Sequence, residues 1–113
     1  MADDSSTRPE RRRHPRSVVG IPVEAVRRDL PPRDPNRVVG LHVTDLSPSG
    51  AGAVVYRPLP TEEPVTLFFP PMGSAEARDT RGRVVRCEGR RDHWQVGIAF
   101  EDPLPDVERI PAT

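Results

Sequence analysis

Two short groups of residues carry side chains whose types and spacing suit them to binding. The first is basic: Arg8, Arg11, Arg12, Arg13 and Arg16 put five arginines into nine residues against one acid, Glu10. A guanidinium donates two parallel hydrogen bonds to a phosphate or to the acceptor edge of a base, which an ammonium cannot do. The second group is Asp45-Leu-Ser47-Pro-Ser-Gly50, a carboxylate and a hydroxyl at fixed spacing ahead of a glycine. Asp45 and Ser47 can accept hydrogen bonds from nearby backbone N–H groups, Pro48 presets φ, and Gly50 can take a positive φ. An ordinary hairpin connection uses the same residues, so alone this group reads as a turn before it reads as a site.

Taken together, the two groups describe a site for a small anionic ligand that also presents hydrogen-bond donors. Arginine reads the O6 and N7 acceptors of guanine and pairs with phosphate; a carboxylate accepts from guanine N–H groups, and a serine hydroxyl bonds in either direction. A guanine nucleotide satisfies both halves.

The elements that must position these residues are strands. Val19, Ile21, Val23 and Ala25 alternate with Gly20, Pro22, Glu24 and Val26, a first strand in which Pro22 suggests an edge or a bulge. Val38 to Asp45 is a second strand with Val39, Leu41 and Val43 on one face. A third follows at Ala51 to Tyr56, a fourth at Val65 to Phe69, and a fifth across Ala75 to Glu88. Trp94, Val96, Ile98 and Phe100 give the clearest period-two pattern in the chain, the sixth strand. Residues 27–37 and 57–64 are polar, proline-bearing loops. At most one helical turn is expected, at 106–110. With 15 prolines and 8 glycines in 113 residues, the pattern is all-β: a small antiparallel barrel or sandwich.

Composition removes several function classes. The 17 basic residues, all arginine, balance 17 acids, so no overall field draws in nucleic acid or a membrane surface. Residues 1–10 lack an apolar face and are expected to be disordered; Pro15 keeps the arginine arm of 11–16 out of helix. With an acidic, polar start no signal peptide is expected, no apolar run is long enough to span a bilayer, and a cytoplasmic protein is expected. Cys87 is the single cysteine, so no intrachain disulfide forms. It is expected to pack as a small apolar side chain. Catalysis is not expected. His14, His42 and His93 stand in separate settings without metal-ligand spacing, Cys87 has no neighbouring base, and Ser47 lacks the flanking glycines of a nucleophile elbow.

Arg12-x-x-x-Arg16, preceded by Arg11 and followed by strand, loop, strand and then Asp45-x-Ser47-x-x-Gly50, resembles the PilZ domain, a bacterial receptor for cyclic di-GMP. Trp94-Gln-Val-Gly-Ile-Ala-Phe100 is similar to that family's last barrel strand. The resemblance extends from Glu10 to Asp102. It implies a six-stranded antiparallel β-barrel, spanning 11–103 with its arm and followed by a short tail at 104–113, that binds cyclic di-GMP on its outer surface. Arg12 and Arg16 would clamp phosphates and guanine edges, Asp45 with Ser47 would hold a guanine, and Gly50 would permit the turn and close approach of the ligand. Arg11 and Arg13 would be auxiliaries. No cofactor or metal is implied; the partners would be cyclic di-GMP and a separate effector protein. Two other readings use the same residues: a PilZ-like adaptor that binds protein and no nucleotide, and a module for single-stranded nucleic acid. Zero net charge and five aromatic residues weigh against the second.

Overall fold

In a computed structural model of the chain, residues 17–104 are described. They form six strands: β1 (Ser17–Arg27), β2 (Val38–Ser47), β3 (Gly50–Val55), β4 (Pro64–Phe69), β5 (Arg78–Gly89) and β6 (Trp94–Phe100). All neighbours are antiparallel and the sheet closes in the order β1-β2-β3-β6-β5-β4. Closure leaves no strand with an unpaired edge. The expected barrel is therefore the fold.

Period-two alternation puts one face of each strand inside. Ile21, Val23 and Ala25 of β1, Val39, Leu41 and Val43 of β2, and Val65, Leu67 and Phe69 of β4 are all buried. Ala51 and Ala53 of β3 stand opposite Ile98 and Val96 of β6, so small residues on one wall face branched ones on the other, and Val55 stands opposite the partly buried Trp94. Phe69 meets Phe100 edge to face, ring centroids 6.4 Å apart.

Two core residues come from outside the strands. Leu59, in the loop that leaves the far end of β3, is 2% exposed; Leu104, beyond β6, is 4% exposed. The first loop is tied on by Glu62 N–H to Val84 O at 2.6 Å and Val84 N–H to Glu63 O at 3.0 Å, with Glu62 at φ 72°. Arg27 pairs two-pronged with Glu63 of the same loop. Arg28 Nη2 donates to Val65 O (3.2 Å), Gly82 O (3.1 Å) and Glu101 Oε2 (2.9 Å), joining β4, β5 and the turn after β6.

Three β-bulges interrupt the ladders. Between β1 and β2 the register moves from Val18↔Asp45 to Ile21↔Val43; between β2 and β3, from Val43↔Ala53 to Asp45↔Gly52; between β5 and β6, from Val84↔Ile98 to Arg86↔Gly97. The bulge expected near Pro22 falls two residues earlier, at Val19 and Gly20, and Pro22 itself pairs with His42. The fifth strand begins at Arg78 rather than Ala75, because Met72 and Ala75 first bridge to each other across Gly73, at φ 56°. The turn at 106–110 expected from sequence lies outside the described residues.

Candidate functional site

The stretch from Asp45 to Gly50 is mostly strand. β2 runs on through Ser47 and β3 begins at Gly50, leaving only Pro48 and Ser49 as turn. Polar turn formers had pointed to a longer connection; the ladder pairs Asp45↔Gly52, Leu46↔Ala51 and Ser47↔Gly50 hold them in register instead. Leu46 is fully buried and anchors the pair from inside.

Ser47 is 1% exposed. Its hydroxyl accepts from Ser49 N–H at 3.3 Å, donates to Gly50 O at 3.4 Å and lies 3.2 Å from Ser49 Oγ. From outside the hairpin, Phe100 N–H donates to Ser49 O at 2.9 Å and Leu104 N–H to Pro48 O at 2.7 Å. The tip is thus fixed by a side chain within it, by the end of β6 and by the chain that follows. Gly50 is not at positive φ; among the described residues only Glu62 and Gly73 are. Its lack of a side chain answers a different need, since a Cβ there would stand 2.5 Å from Ile98 O.

The two bulges of β2 and β5 meet at one place on the outer wall. Each adds a single residue, Thr44 in one and Val85 in the other, so that Asp45 faces Gly52 and Arg86 faces Gly97. Gly52 and Gly97 are themselves partners in β3 and β6. Asp45, Gly52, Gly97 and Arg86 therefore form one row across four strands. The glycines alternate with inward-facing Ala51, Ala53, Val96 and Ile98, so the place of their missing side chains is on the outer face, where neighbouring side chains cover them. The Asp45 carboxylate lies over one glycine and the Arg86 guanidinium over the other. A shallow floor two strands wide has an acid at one end and a base at the other.

Arg11, Arg12, Arg13 and Arg16 lie outside the described residues. The register of β1 nevertheless fixes where that segment joins the barrel: Ser17 pairs with Leu46 and Val18 with Asp45. The other candidates stand apart from the floor. His42 is exposed, His93 Nδ1 bonds its neighbour Asp92 at 2.7 Å, and Cys87 packs half-buried against the core. Among the described residues no group of His, Cys, Asp or Glu is placed to hold a metal ion, and no helix is long and apolar enough to cross a membrane.

The shifted ionisations also lie away from the floor. A hydrogen bond from Arg28 holds the Glu101 carboxyl below the usual range, and one from His93 does the same for Asp92. The hydrogen bond to Glu63 raises Arg27. These pairs brace loops.

Gly52, Gly97 and Arg86 were not among the residues singled out from sequence. Glycine inside a strand marks close approach of another group, and Gly52 and Gly97 stand inside Ala-Gly-Ala and Val-Gly-Ile. That signal was available. Arg86 had none, standing among Arg78, Arg81 and Arg83.

Comparison with known proteins bears on the whole chain. The family model for the PilZ domain matches residues 10–110. Among solved structures, the PilZ domain with cyclic di-GMP of YcgR from Escherichia coli is similar at TM-score 0.63 and 18% identity, covering 88% of this chain and 84% of that one. The Bacillus subtilis inhibitor of motility (MotI/DgrA) is similar at TM-score 0.63 and 12% identity, covering 83% of this chain and 44% of that one. YcgR from Escherichia coli in complex with cyclic di-GMP gives TM-score 0.54 at 19% identity over 88% of this chain and 42% of that one. The chain thus spans less than half the length of the latter two. No curated protein matches it. With a family match from residue 10 to residue 110 and the six-stranded closed barrel that goes with it, the chain belongs to the PilZ domain family.

Proposed function

We propose that the protein is a receptor for cyclic di-GMP, and that the nucleotide lies against the outer wall between the arginine segment and the Asp45 rim. The observation that carries this reading is the pairing of Val18 with Asp45. Arg16 stands two residues before Val18 in the chain, so the basic segment enters the barrel beside the carboxylate. Arg12 and Arg16, with Arg11 as auxiliary, take the phosphates and the acceptor edge of a guanine; Asp45 accepts from the donor edge. Ser47 and Gly50 serve by holding the hairpin that presents Asp45, Ser47 through its hydrogen bonds to Ser49 and Gly50.

Neutralising the arginines with the ligand's two phosphates folds them across the rim and creates a surface that an effector protein reads. This is binding and relay, without chemistry, in the cytoplasm. The solved YcgR domain with cyclic di-GMP supports the ligand. Titration calorimetry with cyclic di-GMP, with GTP and linear pGpG as controls, tests it. Selective binding is expected; no heat at high micromolar concentrations of both components would leave an adaptor that binds protein alone.

A further inference from the structure

The bulge in β5 has a consequence for one arginine. Without Val85 as an extra residue, the outward position opposite Gly97 would be filled by valine; with it, Val85 stands 50% exposed and Arg86 takes that position. A bulge that re-aims one side chain is a common device beside binding sites. Here the re-aimed side chain is set on bare backbone. A Cβ placed on Gly97 would lie 3.3 Å from Arg86 Cζ, 3.4 Å from Nε and 3.5 Å from Nη2. Three atoms of the guanidinium are nearly equidistant from one point above the glycine, so the plane of the group lies face-on over the backbone. Arg86 is exposed, and its guanidinium makes no hydrogen bond or ion pair with a described residue. Its outer face is open. By contrast, Arg27, Arg28, Arg83 and Arg90 are each spent on a carboxylate or a carbonyl.

A flat guanidinium backed by protein and open on one face is a platform for an aromatic ring. Across the row, the Asp45 carboxylate lies over Gly52. We propose that Arg86 is a ligand-binding residue, the stacking platform for a guanine base of the bound nucleotide, with Gly97 required so that the guanidinium can lie flat. This rests on the cyclic di-GMP reading given above and adds a contact from β5 that neither motif group contains. The two bulges then have one purpose: each turns a side chain toward the two-glycine floor from opposite sides.

The test compares wild type with Arg86→Ala, Arg86→Lys and Arg90→Ala by calorimetry against cyclic di-GMP, with thermal melts to check folding. On a platform, Arg86→Ala weakens binding about tenfold, Arg86→Lys recovers little because an ammonium has charge without a plane, and Arg90→Ala is unchanged. In spectra of the 15N-labelled protein, ligand moves the Arg86 Hε resonance upfield through the ring current of the stacked base. Wild-type binding with Arg86→Ala within twofold of it, or full recovery in Arg86→Lys, overturns the platform and leaves the receptor reading standing. Absence of wild-type binding overturns both.

Discussion

The Asp45 carboxylate sits so close over Gly52 that a methyl group there would stand 2.6 Å from Oδ2 and 3.0 Å from Oδ1. The atoms in the way belong to the end of a side chain and not to backbone. Gly52→Ala is therefore expected to fold, with stability within about 0.5 kcal/mol of wild type, while pushing the carboxylate out of place. Losing one charged hydrogen bond of about 1.5–3 kcal/mol weakens cyclic di-GMP binding roughly ten- to hundredfold. Calorimetry alongside a thermal melt separates the two effects; equal affinity in the variant would mean that Asp45 does not hold the ligand from this position.

Gly50→Ala is expected to behave in the opposite way. The obstacle is Ile98 O, a backbone atom 2.5 Å from the new methyl, and relief requires β3 and β6 to part at the hairpin end. A loss of about 1–3 kcal/mol is expected, read as a lower midpoint in urea unfolding with little change in slope. An unchanged midpoint would show that the strands shift apart freely there.

For the arginine segment, Arg12→Ala and Arg16→Ala are each expected to remove most cyclic di-GMP affinity, by about 1.5–3 kcal/mol per charge-assisted contact. Arg90→Ala, whose Nη2 pairs with Glu88 at 3.0 Å on an exposed turn, is expected to bind like wild type. Retained affinity in both arm variants would move the site elsewhere.

Glu101 gives a pH dependence whose sign is fixed. Its carboxyl is held low first by the hydrogen bond from Arg28, with the charges of Arg28, Arg81 and Arg83 adding to it and desolvation opposing. A carboxyl with a depressed folded pKa contributes stability above its unfolded pKa, and that contribution disappears as pH falls through the folded value. Glu101→Gln is expected to melt below wild type at neutral pH, the gap closing in acid. A gap that is constant with pH would assign the effect to packing.

The strands were legible because the chain alternates cleanly: Val39, Leu41 and Val43 read as one face and form one face, and Val96 and Ile98 likewise. Leu59 and Leu104 were not, because each is a single leucine among prolines, with no period to betray that the loop folds inward. Asp45 and Ser47 were read as turn residues because turn chemistry and strand-end chemistry use the same side chains. What separates the two is the ladder with Gly52 and Gly50, a register that residue types alone do not specify. The same holds for Arg86, which local sequence cannot tell from Arg83; the bulge alone decides which of them faces Gly97. Arg11, Arg12 and Arg16 lie outside the described residues and remain assigned by their spacing in the sequence.

The paired bulges make the wall proposed to bind the nucleotide a matter of parity. In an uninterrupted strand, side chains point in and out by odd and even count, and a one-residue deletion exchanges the two sets. Removing Thr44 would restore a plain ladder between β2 and β3, and removing Val85 one between β5 and β6; every surrounding residue type would stay in place, yet each side chain on one side of the cut would change face relative to the other. The wall is thus written in residue count as much as in residue identity. Among barrels of this family, a strand that keeps its aspartate and serine but loses one neighbour would preserve the motif on paper and lose the surface it describes.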